Sequence, residues 1–175
     1  MHRDYIDFQE RSEAIAYLIT FRCYGTWLHG DDRGSVSRRK TNRYGGPKIR
    51  PSMILPEMES RLLVNPSFEL GLEDRCIVEN AIREVCDVRG YSLFAVNVRT
   101  NHVHLVTGNG GKVERMTDSF KAYSTKALRA AGRVDRVFKP WSRHGGTRYL
   151  WTERHIELAV EYVVNGQGGR LPSFD

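Results

Sequence analysis

The chain has no run of about 18 apolar residues, the length a helix needs to cross a bilayer. Its opening stretch, MHRDYIDFQERSEA, is charged throughout and unlike a secretory signal. These absences lead to the expectation of a soluble, cytoplasmic protein with no membrane partner. Cysteine is scarce: Cys23, Cys76 and Cys86 are odd in number and lack C-x-x-C spacing, which excludes a disulfide framework and a cysteine zinc site. Proline is scarce too, with 6 in 175 residues, and Pro47, Pro51, Pro56 and Pro66 fall within one segment. That segment, 29–66, also holds Gly30, Gly34, Gly45 and Gly46, and it reads as an irregular insertion with a short helix near Glu57 to Leu63. Acids are missing from its middle: RGSVSRRKTNRYGGPKIR, Arg33 to Arg50, includes Arg38, Arg39 and Lys40 and no Asp or Glu.

What is present suits one domain spanning 1–175. Apolar residues make up 40% of the chain, enough for a core, and Lys plus Arg exceed Asp plus Glu by 27 to 21, a net charge of +6. A basic, glycine-bearing arm with Tyr44 inside it suits a phosphate backbone as partner, since each neutralised phosphate releases a counterion.

Periodicity organises the rest. AYLITFRCYGTWL, from Ala16, begins as a strand. LEDRCIVENAIREVCDVRG places Ile77, Val78, Ala81, Ile82 and Val85 at helical spacing and stops at Gly90. YSLFAVNVRTNHVHLVTG reads as two adjacent strands hinged at Arg99 to Asn101, and a second helix is expected from Val113 to Ala131. A short strand in RYLWT and a last helix in ERHIELAVEYVVNG complete the chain. The order predicts an α+β, ferredoxin-like antiparallel sheet with the helices on one face and the histidine strand central.

Within RTNHVHLV, His102 and His104 are separated by one residue, so on a strand they share a face, about 6.5 to 7 Å apart at Cα. Two imidazoles so placed can grip one cation, and equally can be two hydrogen-bonded polar residues; the spacing alone does not select a metal. A nucleophile is the missing part of any phosphate chemistry. Tyr123 falls in the apolar stripe of its helix with Met116, Phe120, Ala127 and Ala131 and reads as core. On the last helix Ile156, Ala159, Val160 and Val163 form the buried face, and Tyr162 lies about 120 to 140° from its middle. Asn165 projects near Tyr162, and NGQGGR then breaks the helix, so that Gln167 can swing back beside the tyrosine.

With NHVHLV, the early strand AYLITFRCYGTWLHG, the Trp and Arg of PWSRHGGTRYLWTE and the helix AVEYVVNGQGG in place, the sequence resembles the single-tyrosine HUH transposases. This group includes the REP-associated tyrosine transposases and small insertion-sequence transposases of single-stranded DNA. The resemblance implies Tyr162 as catalytic nucleophile, and His102 and His104 with a third polar ligand holding Mg²⁺ or Mn²⁺. That ligand usually stands one turn after the tyrosine, where this chain has Gly166. Gln167 is the candidate in its place, with flanking Asn165 as the alternative. The implied reaction is nicking and rejoining of single-stranded, hairpin-forming DNA through a 5′-phosphotyrosine. A free phenol ionises near pH 10, so it needs activation; His144 and His155 are the candidate bases. Arg38, Arg39, Lys40, Lys121, Lys126, Arg143 and Arg148 are the candidate nucleic-acid contacts, with Tyr44, Trp141 or Trp151 for stacking. The resemblance also implies a possible homodimer, in some members exchanging the tyrosine helix. The alternative is a catalytically decayed binder of nucleic acid hairpins, which Gly166 favours. A two-histidine phosphoesterase needs two H-x-[ST] motifs, and here the third positions are His104 and Val106.

Overall fold

The computed structural model describes residues 13–26, 63, 66–166 and 172. The basic insertion with Arg38, Arg39, Lys40 and Tyr44, the short helix expected near Glu57 to Leu63 except Leu63 itself, and Gln167 lie outside the described residues.

Seven elements alternate as expected: β1 (Ala16–Cys23), α1 (Leu72–Arg89), β2 (Leu93–Val98), β3 (His102–Gly108), α2 (Val113–Ala130), β4 (Trp141–Leu150) and α3 (Glu153–Val164). The strands form one sheet in the order β2-β3-β1-β4, and every neighbouring pair is antiparallel. The histidine strand β3 is therefore an inner strand. This is the ferredoxin-like βαββαβ arrangement with a third helix appended.

Local chemistry explains the boundaries. At the start of α1 the Asp74 carboxylate accepts from the Gly71 N–H at 2.9 Å and pairs with Arg133. The helix stops at Gly90, whose φ of 69° lies in the left-handed region that glycine enters without a Cβ penalty. β4 is ten residues long, beginning well before RYLWT. Gly145 makes this possible: a Cβ there would collide with the Thr20 carbonyl oxygen of β1, so only glycine lets the two strands approach.

The expectation that all helices gather on one face is corrected. Helices α1 and α2 pack on the face carrying Ile19, Phe21, Val103 and Leu105, where Val78, Ile82, Val85, Met116, Phe120 and Leu128 complete the main core. Helix α3 packs on the other face, its Ala159 and Val163 against Ala16, Leu18, Ala95, Val106 and Leu150. Strand alternation requires two layers: Val103 and Leu105 point one way, while Val106 and the histidines point the other, and both sets include apolar residues that need cover. No helix of the described residues is long and apolar enough to cross a membrane.

Candidate functional site

Helix α3 is twelve residues long, and the half of its face beneath Ala159 and Val163 is apolar. The other half carries Thr20 and Arg22 from β1, Asn97 from β2 and His102 from β3, all partly buried, and the buried His104, brought together by register: Arg22 faces His102, while Thr20 and Asn97 flank His104 on either side.

The two imidazoles stand edge to face, with ring centroids 4.7 Å apart and planes at 75°. His104 Nδ1 is 2.7 Å from Thr20 Oγ1, and His102 Nδ1 is 2.6 Å from Asn101 Oδ1. Such outer partners orient a ring and fix which nitrogen is offered to a ligand. Burial, and then the positive charges of His102, Arg22 and Arg99, push His104 down to about 3. It is thus the neutral imidazole at ordinary pH, the form that ligates a metal.

Tyr162 reaches this pair from α3. Its ring lies 5.5 Å from that of His104, centroid to centroid, with planes at 77°, and both belong to one chain. Two devices place it. At the N-terminus of α3, Thr152 Oγ1 accepts from the His155 N–H at 3.2 Å; removing such a cap costs roughly 1 kcal/mol. Near the C-terminus, Asn97 Nδ2 donates to the Val163 carbonyl at 2.9 Å, tying the turn that carries Tyr162 to the strand beside His104.

The other candidates divide. Asn165 is exposed and its Nδ2 donates to Glu161 Oε1 at 3.0 Å. At Gly166 a Cβ would come within 3.1 Å of Tyr162 Cα and Cδ2, so a side chain there would press on the tyrosine ring. His155 is 4% exposed and its Nδ1 accepts from the Trp151 N–H at 3.3 Å, a structural position two turns from Tyr162. Tyr123 is partly buried against the main core. Trp141 and Trp151 are both buried. Lys121 lies on α2, on the opposite face of the sheet, with its ammonium donating to the Ser142 and Arg143 carbonyls at 3.0 and 3.3 Å. Arg148 is partly buried and lies opposite Leu18, and by strand alternation it shares the face of the histidines. Arg143 is exposed.

Sequence reasoning missed Thr20, Arg22, Asn97 and Arg99. A signal was available for three of them. Thr20 and Arg22 interrupt an otherwise apolar strand at alternate positions, and Asn97 does so in LFAVNV. Polar residues at period 2 on strands destined for a core mark an uncovered face.

Among the described residues no group of three or more His, Cys, Asp or Glu side chains could hold a metal ion. The two imidazoles fit a divalent cation as partial ligands, with their Nδ1 atoms already engaged. The charges bearing on His104 are all positive, so an anion is the natural companion of such an ion.

Fold and site together define a ferredoxin-like sheet with a histidine pair on its open half-face and a helix-borne tyrosine beside it. No family model matches the chain, and no curated protein matches it. Solved structures are similar to it, two transposases among them. One is a REP-associated tyrosine transposase bound to a REP hairpin, at 13% identity and a TM-score of 0.46, covering 86% of this chain and 65% of that one. The other is a transposase candidate from Deinococcus radiodurans R1, at 12% identity and a TM-score of 0.45, covering 90% of this chain and 93% of that one. The chain thus spans just under two thirds of the length of the first.

Proposed function

We propose that this chain belongs with the single-tyrosine HUH transposases its motifs resemble, and that it nicks and rejoins single-stranded, hairpin-forming DNA through a 5′-phosphotyrosine at Tyr162. The observation that carries the reading is Tyr162 in edge contact with His104, 5.5 Å between ring centroids, over a half-face whose charges are cationic.

Arg22 and Arg99 draw the phosphodiester onto the open half-face and hold its negative charge there. His102 and His104 would hold Mg²⁺ or Mn²⁺, with Gln167 or Asn165 as third ligand; the ion supplies Lewis-acid polarisation of a non-bridging phosphate oxygen. Asn97 and the apolar contacts of α3 support the Tyr162 ring beside His104, the position from which its hydroxyl would attack phosphorus. Tyr162 Oη loses its proton and forms the O–P bond, and the bond from phosphorus to the 3′ oxygen breaks. That oxygen leaves as a 3′-OH after taking up a proton. The reverse attack by a 3′-OH restores the tyrosine and a phosphodiester, so the bond energy is kept and no nucleotide is consumed.

The test uses the purified chain with hairpin DNA labelled 3′ to the cleavage site, with and without Mn²⁺, on a denaturing protein gel. The expected result is a Mn²⁺-dependent labelled band that Tyr162→Phe lacks. A second reading, a hairpin binder without cutting, draws on Gly166 in the slot for a third ligand. It is the conclusion if the DNA shifts on a native gel and no label stays on the denatured protein.

A further inference from the structure

A cavity lies on the far side of the sheet from the histidine pair, where the chain that leaves α2 turns back into β4. It holds about 200 Å³ and is lined by Lys121, Ala122, Thr125 and Arg129 of α2 and by Lys139, Pro140 and Trp141. The four α2 residues fall within about 100° of arc, so one side of the helix forms one wall and the entry to β4 forms the other.

Floor and rim differ in chemistry. Pro140 and Trp141 are buried. Trp141 Nε1 donates to the Lys121 carbonyl and to Thr125 Oγ1, both at 3.1 Å, so its one polar atom is spent inside the fold and its ring offers a ligand only carbon. The ring is also fixed edge to face on Phe21, with centroids 5.0 Å apart. The rim carries Lys121, Arg129 and Lys139 and no acid. An ammonium has three N–H donors, and the Ser142 and Arg143 carbonyls take two of those on Lys121. A guanidinium has five, and the Asp135 and Phe138 carbonyls engage two of those on Arg129. Both side chains thus keep donors for an anion. Burial lowers the Lys121 ammonium from the usual lysine range, against the opposing pull of Asp118, and an anion in the cavity would offset that cost.

We infer that this cavity binds a small aromatic carboxylate, with its ring on Trp141 and its carboxylate among Lys121, Arg129 and Lys139. Each half of such a ligand meets its complement. A bare inorganic anion would leave the apolar floor uncovered, and a neutral ring would gain nothing from the three charges. Pockets for drug-sized ligands run to about 300 to 1,000 Å³, so this smaller one suits a single ring rather than a nucleotide. An occupant would adjoin the strand that flanks the histidine pair: Ser142, whose carbonyl Lys121 holds, donates its hydroxyl to the Arg22 carbonyl at 3.2 Å, and Arg22 faces His102. Binding here is independent of the cutting reaction.

The test is NMR of the ¹⁵N-labelled full chain titrated with benzoate, with benzamide as its neutral counterpart and inorganic phosphate as an anion without a ring. Benzoate should saturate with a midpoint on the order of 1 mM, shifting the Ala122 and Thr125 amides and the Trp141 indole N–H. It should bind about 10-fold or more tightly than either benzamide or phosphate. Lys139→Gln should weaken benzoate about 3- to 10-fold. Ala122→Phe, which fills the cavity from an exposed helix position, should abolish the shifts while the melting temperature stays near that of the wild type. If Ala122→Phe melts early, Lys139→Gln alone decides. Equal binding of benzamide or phosphate, shifts confined to other residues, a midpoint that Lys139→Gln leaves unchanged, shifts that persist in a folded Ala122→Phe, or no saturation at all overturns the inference.

Discussion

Replacing Thr20 by valine removes one hydroxyl and keeps a β-branched shape suited to the strand. The lost atom is the 2.7 Å partner of His104 Nδ1. His104 is 9% exposed, so its Nδ1 would be left with little water to replace the bond. An unsatisfied buried polar group costs roughly 1 to 3 kcal/mol. For a domain of this size that corresponds to a fall in Tm of about 2 to 10 °C. The effect on function should be larger than the effect on folding. When Nε2 serves a cation, Nδ1 carries the proton and donates it to Thr20 Oγ1, and removing such an outer partner typically weakens metal affinity about 10- to 100-fold. The assay is adduct formation at increasing Mn²⁺, with the melting curve measured alongside. The half-saturating Mn²⁺ should rise while the maximum adduct is recovered at high Mn²⁺. An unchanged Mn²⁺ requirement would refute the claim that Thr20 orients a metal-binding imidazole.

Four further outcomes follow from the structure. Asn97→Ala removes the bond to the Val163 carbonyl; it should cost about 1 kcal/mol and slow adduct formation without weakening hairpin binding, measured by melting and single-turnover kinetics. Gly145→Ala forces a methyl onto the Thr20 carbonyl oxygen and should destabilise the fold by about 1 to 3 kcal/mol or more in a denaturant titration; no change would mean that β4 is free to move off β1. Cys76 is exposed, while burial pushes the Cys23 thiol up to about 12 and that of Cys86 up to about 11, so at pH 8 a thiol reagent should label one site quickly and two slowly. The unfolded thiols ionise first, so the unfolded chain binds fewer protons above about pH 9, and stability should fall as pH rises from there towards 12.

Much of this architecture was legible because it is written in short-range pattern. The periods of α1, α2 and α3, the glycine stop at Gly90 and the alternation of RTNHVHLV lead to the observed elements. The shared face of His102 and His104 follows from the same local geometry, whereas Tyr162, expected about 120 to 140° from the middle of the buried face, packs against the second core, because the buried face of α3 is centred on His155, Ala159 and Val163 instead of Ile156 and Val160. Which face of the sheet a helix takes is not a local property, and that is why α3 was expected beside α1 and α2. The partners of His104 were hidden for a related reason: Thr20 lies 84 residues away from it in sequence, and only strand register makes them neighbours. Arg22 and Asn97 arrive at the site in the same way. For Lys121 charge alone does not say where the ammonium points, and it is the fold that aims it at the Ser142 and Arg143 carbonyls.

The central claim is that the Tyr162 oxygen becomes bonded to DNA. The direct measurement is to trap the adduct with hairpin DNA and Mn²⁺, digest both nuclease- and protease-sensitive parts, and locate the remaining phosphonucleotide by mass spectrometry. The account predicts the added mass on the peptide spanning α3, at Tyr162, joined through a 5′ phosphate. A modification on another residue, or peptides of unaltered mass from a protein that binds the same hairpin tightly, would contradict it.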